Sequence, residues 1–433
     1  MENIEAKVGN EERPDGYLYI ESICKRAKAA SSGIACAGTA KKNDALRRAA
    51  SKLIENTGKI LEANAVDVSH ASESGVRPQM VDRLRLTEKR IKEMSEGMAA
   101  VAALPDPVGE VLWGTVRPNG MEIIKKRVPL GVIGIIFEAR PNVTCDCSAL
   151  TIKSGNAVIL RGGKEAINSN RAIAECIREA LDEAGLPRDS VILIDRTERE
   201  LVNVLFGMRN YVDVLIPRGG KGLINNVTEN SKIPVIRTGE GNCHTYIDDS
   251  YDMEKAVNIV LNAKTQRPSV CNAMETMLVS EKAAPSFLPP AAEALREKGV
   301  TLRCCKKAIE ILGKAEVEEA TELDFETEYN DLILAVKVVK DVDEAIAHIN
   351  RYGTGHSEAI VTESIENAEK FKQQVDAACV YVNCSTRFTD GYQFGFGAEI
   401  GISNQKLHAR GPMGLPELTS IKYVVSGNGQ VRS

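Results

Sequence analysis

The chain has 433 residues, a length that suggests two or three domains. With 55 Lys and Arg against 60 Asp and Glu its formal net charge is −5, and only 4% of its residues are aromatic, which argues against a nucleic-acid surface or a base-stacking platform. Apolar residues make up 43% and charged residues 27%, an ordinary globular balance. No apolar run approaches the ~20 residues needed to span a bilayer.

The opening stretch, MENIEAKVGNEERPDGYLYI, is acidic and polar and lacks the basic-then-apolar pattern of a signal peptide. The eleven cysteines are irregularly spaced, so a cytoplasmic protein with reduced thiols is expected. There is no Cys-x-x-Cys. Cys145-x-Cys147 and Cys304-Cys305 have the wrong spacing for structural zinc, and His70, His244, His348, His356 and His408 lie far apart, so no metal is expected.

Residues 17–104 read as helices. From 42 to 63 apolar residues recur at three- and four-residue steps, which predicts one amphipathic helix there. Leu104-Pro105-Asp106-Pro107 ends the helical region. Residues 111–129 read as two strands around Pro118-Asn119-Gly120, a tight-turn sequence. This is an ordinary surface hairpin or an arm that reaches a neighbouring subunit.

From residue 130 short apolar strands alternate with helical segments: 131–137, 156–160, 190–194, 212–216 and 233–237, with a helix over 165–185 that ends at Gly185. The alternation predicts a parallel sheet covered on both faces. Ligands of such sheets bind beyond the carboxyl ends of the strands, here FEARPN, RGGK, DRTE, PRGG and RTGEGN. The arginines and glycines suit a phosphate-bearing ligand. A second α/β region follows, with a helix over 251–263 and strands at 276–280, 299–304, 332–339, 358–362 and 379–383. The tail is a glycine-rich loop and one strand.

Standard nucleotide motifs fail. G-x-G-x-x-G is absent, since the stretches at 239–244 and 395–400 both lack the last glycine. The Gly-Gly-Lys runs ending at Lys164 and Lys221 are not P-loops, and there is no G-x-S-x-G elbow. Among the cysteines, Cys176 and Cys379 lie in helical or apolar contexts and read as small hydrophobes. Cys271 differs: it follows Gln266-Arg267-Pro268-Ser269 and precedes a strand. A place at the start of a short helix near Arg267 would favour its thiolate.

Four stretches, VPLGVIGIIFEARPN, ILRGGKEA, NAKTQRPSVCNAMETMLV and FGFGAEIGISNQKLHARGPMGLPEL, together resemble the gamma-glutamyl phosphate reductases, a branch of the aldehyde dehydrogenase superfamily. The resemblance runs from about residue 20 to the C-terminus. It implies an α/β, aldehyde-dehydrogenase-like fold. That fold has a parallel-sheet NADP-binding domain (1–110 and 128–245), an α/β catalytic domain (246–411), and a small β oligomerisation element (111–127 and 412–433). It also implies NADPH-dependent reduction of L-glutamate 5-phosphate to the 5-semialdehyde, the second step of proline biosynthesis. A separate glutamate 5-kinase is then expected to supply the substrate, and the arm makes a homo-oligomer the expectation.

The resemblance places the nucleophile at Cys271 and an oxyanion donor at Asn142, whose amide otherwise serves turn chemistry after proline. Thr238 falls where aldehyde-oxidising relatives carry a general-base Glu, which favours reduction over hydrolysis. Arg161 and Lys164 stand where NAD-preferring relatives have Lys and Glu, which points to NADP(H); otherwise they are two solvated loop cations. Gly219 and Gly220 match the pyrophosphate loop, and Glu328 matches the acid that holds the nicotinamide ribose or is a surface acid. Arg140, Lys153, Arg267, His408 and Arg410 are unranked candidates for the substrate's phosphate and amino-acid head. A hydrolytic aldehyde dehydrogenase and a catalytically silent cofactor-binding scaffold stay open as rivals.

Overall fold

A computed structural model describes residues 14–76, 78–138 and 140–432. The chain divides into two compact units, one containing the segments before Arg237 and after Met413, the other residues 237–413.

The first unit begins with helices Asp15–Ala35, Thr39–Glu55, Thr57–Glu73, Pro78–Leu84 and Glu88–Ala103. The single helix expected over 42–63 is two. Asn56 leaves helical geometry at φ −100°, ψ 16°, and its amide donates to the Lys52 carbonyl at 2.9 Å. A short polar side chain that bonds the backbone locally competes with helix propagation. Apolar periodicity runs through the break because both helices bury apolar side chains, Leu46 and Leu53 in the first and Ile60 in the second.

Four parallel strands form the sheet in the order Val191–Leu193, Ala157–Arg161, Val132–Phe137, Val214–Arg218. Residues 233–237, expected as a fifth strand, make only an isolated bridge at Val235 to Leu215. Pro234 has no N–H, so the ladder cannot extend through it. The strand order reverses between Val132–Phe137 and Val214–Arg218. That is the switch point at which doubly wound sheets open a crevice for ligands. Helix Ile167–Glu183 covers the sheet and ends before Gly185 at φ 64°.

The hairpin Val111–Val116 and Glu122–Pro129 turns at Gly120, φ 85°, and pairs antiparallel with Thr419–Ser426, giving a separate three-stranded sheet. Trp113, Lys125 and Tyr423 lie in one row across it. Trp113 is 51% and Tyr423 56% exposed, and Val425 is exposed beside them.

The second unit carries a seven-stranded sheet whose middle strand is Met274–Ser280. Its neighbour Cys243–Ile247 was not expected from the sequence. It pairs with Met274–Ser280 and Ser357–Val361, so residues 237–245 belong to this unit, and the boundary lies at 236/237 and 413/414 rather than 245/246 and 411/412. Among the described residues, no helix is long and apolar enough to cross a membrane.

Candidate active site

The helix Met253–Thr265 ends five residues before Val270, and the backbone then makes a tight turn in which Ala273 N–H donates to the Val270 carbonyl at 3.0 Å. Cys271 sits in this turn, directly before the middle strand. It is not at a helix start, as anticipated above, because the chain passes straight from turn to strand. The thiol is partly buried.

Its backbone is held on two sides. The Cys243 thiol donates to the Cys271 carbonyl at 3.2 Å. Gly241 lies against the same carbonyl so closely that a Cβ there would fall 1.3 Å from the oxygen. The Gly241 N–H donates to Glu328 Oε1 at 3.0 Å, and Gly239 N–H to the Ile402 carbonyl at 2.8 Å. On the other side, the Asn272 amide donates to the carbonyls of Thr389 (2.8 Å) and Arg387 (3.3 Å), while the Thr386 hydroxyl donates to the Asn272 carbonyl at 2.7 Å. A reactive group is useful only when its neighbours hold it still, and here the strand, the glycine loop and segment 385–389 all do so.

Cys243 is held as the neutral thiol: burial drives its pKa far up, with Glu358 adding to this. Near it lies a buried polar layer. The backbone N–H and Nδ1 of His244 meet Glu358 Oε2 at 2.7 and 3.0 Å, and His356 Nδ1 meets the Ser357 hydroxyl at 2.8 Å. Burial pulls the His356 pKa down to about 4, so the ring is neutral there. Lys264 and Glu275 form a fully buried ion pair at 2.5 Å.

In the first unit, the carboxyl ends of Val132–Phe137 and Val214–Arg218 bring Glu138 against Gly219, where a Cβ would lie 2.6 Å from the carboxyl carbon. Gly220 then caps the helix Lys221–Asn230. Asn142 opens the helix Asn142–Lys153, and its amide donates to Asp146 Oδ2 at 3.0 Å. Burial lifts the Asp146 pKa to about 6. Arg161, 6% exposed, turns its guanidinium onto the carbonyls of Gly162 and Thr197 and leaves Nε buried without an acceptor. Lys164 is exposed at the next turn.

The model of the aldehyde dehydrogenase family matches residues 16–302 and 326–424. The chain belongs to the aldehyde dehydrogenase family. Within it, the gamma-glutamyl phosphate reductase of Clostridium beijerinckii is 57% identical over 408 residues, covering 94% of this chain and 98% of that protein. The crystal structure of the Thermotoga maritima gamma-glutamyl phosphate reductase is 53% identical with a TM-score of 0.94, covering 96% of this chain and all of that one. An acetylating aldehyde dehydrogenase from Geobacillus thermoglucosidasius, 17% identical with a TM-score of 0.70 and spanning 96% of this chain and 98% of that one, is alike in fold. This family member is therefore an oxidoreductase of the gamma-glutamyl phosphate reductase branch.

The five candidate substrate cations of this family member do not form one group. Lys153 is completely buried. Its ammonium donates to Asn43 Oδ1 at 2.6 Å and to the Ala102 carbonyl at 2.9 Å, so it is a core residue and drops out as a substrate ligand. Arg410 is paired with Asp376 at 2.7 Å. His408 stands on an exposed loop with φ 66°, and Arg140 is exposed in the segment before Asn142. Arg267 lies four residues before Cys271 and is exposed. Sequence reasoning missed Cys243, Asn272 and Arg387. The first two look like ordinary core residues, and a lone arginine in a loop carries no local signal. Gly241 did leave a trace, in the spacing of Gly239-Glu240-Gly241.

Proposed function

We propose that this chain catalyses the NADPH-dependent reduction of L-glutamate 5-phosphate to L-glutamate 5-semialdehyde with release of phosphate. The observation that carries the reading is the partly buried Cys271 thiol, with its carbonyl held by Cys243 and Gly241. The Cys271 sulfur attacks the acyl carbon, the carbon–oxygen bond to phosphate breaks, and a thioester remains. The Cys271 N–H stabilises the negative charge on the acyl oxygen by ~3–4 kcal/mol, and the family resemblance implies the same role for the Asn142 amide. Thr238, buried in the strand-like approach to the glycine loop, has no basic group to activate water, so the thioester survives until it is reduced.

The residues of the first unit suit a phosphate-rich dinucleotide. An orphaned guanidinium donor at Arg161, a glycine pair opening a ten-residue helix and an exposed Lys164 collect around the carboxyl ends of the sheet. When bound, the nicotinamide supplies hydride. Gly219 and Gly220 would hold its pyrophosphate, and the family resemblance implies that Glu328 would hold its nicotinamide ribose. Because Arg161 is committed to backbone carbonyls, preference for a 2′-phosphate falls on Lys164. Lys164→Glu is expected to lower the NADP/NAD ratio of kcat/KM by ~10-fold or more, since a carboxylate would replace a charge-assisted contact. An unchanged ratio rejects this role.

The reaction is tested in reverse, with glutamate semialdehyde, phosphate and NADP⁺, by following NADPH. Turnover that does not require phosphate rejects the reductase reading and favours a hydrolytic enzyme. We place the reaction in the cytoplasm, consistent with eleven cysteines that form no disulfide, and downstream of a separate glutamate 5-kinase. The exposed row of Trp113 and Tyr423 takes a second copy of the chain. Trp113→Glu with Tyr423→Glu is expected to yield monomers in sedimentation velocity; an unaltered mass would move the interface elsewhere.

A further inference from the structure

Segment 385–389 is stitched to Asn272, the residue after the nucleophile, by the three hydrogen bonds described above, so the Arg387 backbone stands beside Cys271. The Arg387 guanidinium is partly buried. Its Nε donates to Gln266 Oε1 at 2.8 Å, which ties it to the stretch that carries Arg267. Among the described residues, neither Arg387 nor Arg267 has a carboxylate within ion-pair distance, and the two Nη groups of Arg387 donate to no protein acceptor. Burial lowers the Arg387 pKa and the charge of Arg267 lowers it further, while Cys271 and Asp390 act in the opposite sense. Two guanidinium charges that act on each other without an ion-pair partner are unfavourable until an anion arrives. A guanidinium whose fork is open presents paired donors to a tetrahedral oxyanion.

Resting on the reading above, we propose that Arg387, together with Arg267, binds the phosphate group of the substrate and of the released product. In an acyl phosphate the phosphoryl oxygen is bonded to the carbon that the Cys271 sulfur attacks. A cation carried by the segment bonded to Asn272 is therefore close to the phosphate, whereas the α-carboxylate lies at the far end of the glutamyl chain. The bound guanidinium draws charge onto the leaving oxygen as its bond to carbon breaks.

The test compares wild type with Arg387→Gln and Arg387→Lys, each first shown to unfold at a normal temperature. In the reverse assay Arg387→Gln is expected to raise KM for inorganic phosphate ~10-fold or more and to leave KM for glutamate semialdehyde within about twofold, as expected for loss of a charge-assisted contact to one substrate. Arg387→Lys should fall between the two. A rise confined to the aldehyde KM would assign Arg387 to the α-carboxylate and overturn the proposal, as would an unchanged phosphate KM. A second arm needs no turnover. Cys271 is alkylated with anionic iodoacetate and with neutral iodoacetamide, with and without inorganic phosphate. Wild type should favour iodoacetate and be protected by phosphate, and Arg387→Gln should lose both; equal behaviour of the two proteins overturns the proposal. If wild type shows no phosphate-dependent turnover, the reductase reading fails while the alkylation arm still decides the anion site.

Discussion

Cys271→Ala is expected to abolish phosphate-dependent turnover, by ~10⁴-fold or more, because the covalent step has no other nucleophile to carry it. The neighbouring thiol cannot take over, since Cys243 is buried, strongly protonated and turned to the Cys271 carbonyl. The fold should survive. The bonds that define the turn use the backbone of residues 270–273 and the Asn272 side chain. Urea unfolding should therefore stay within about 1 kcal/mol of wild type, as for loss of one small, partly exposed side chain. Rapid-quench mass spectrometry on wild type, with glutamate 5-phosphate and no nucleotide, should find glutamyl mass on the Cys271 peptide. An alanine variant that still turns over, or a peptide that never gains mass, would sink the thioester route.

Gly241→Ala is the second large effect. The new methyl carbon would stand 1.3 Å from the Cys271 carbonyl oxygen and 2.3 Å from its carbon, and neither is the movable end of a side chain. Either the glycine loop retreats and loosens the Gly241–Glu328 bond, or the Cys271 turn is displaced. A shift of roughly an ångström at a reacting group costs about 100-fold in rate, and forced backbone movement costs ~1–3 kcal/mol of stability. Both losses should appear, in kcat of the reverse reaction and in urea unfolding. Gly97→Ala is the control, because a Cβ at Gly97 meets nothing within 4 Å in the helix Glu88–Ala103. It should leave kcat alone and add ~0.5–1 kcal/mol of stability. Equal behaviour of the two variants would show that the contact with Cys271 is unimportant.

The elements that were legible in the sequence carry their signal locally. The helix Ile167–Glu183 has its periodicity and its terminal glycine, the hairpin has Asn119-Gly120, and the second unit's apolar runs became strands. The failures share one cause, dependence on distant partners. Cys243–Ile247 contains a histidine and a threonine in the middle of a sheet. It is tolerable there because Glu358, 114 residues away, meets His244. Lys153 looks like any surface lysine until Asn43, 110 residues earlier, accepts its proton-bearing end. Residues 233–237 look like a strand, and a single proline spoils the ladder. At the site, Cys271 was read from its motif and its unusual context, whereas Arg387 becomes visible only when Asn272 draws segment 385–389 against the nucleophile.

The return of the chain to its first unit has a consequence for synthesis on the ribosome. Strand Glu122–Pro129 lies between Val111–Val116 and Thr419–Ser426, so one of its two hydrogen-bonding edges stays open until residue 419 has emerged. At about 5–20 residues per second that wait lasts on the order of a quarter to a full minute. For that time a nascent chain displays an unmated edge next to Trp113, the kind of surface that pairs with the wrong neighbour. Premature stops within the last few dozen codons should thus yield a sticky, poorly recovered product rather than a slightly shorter enzyme.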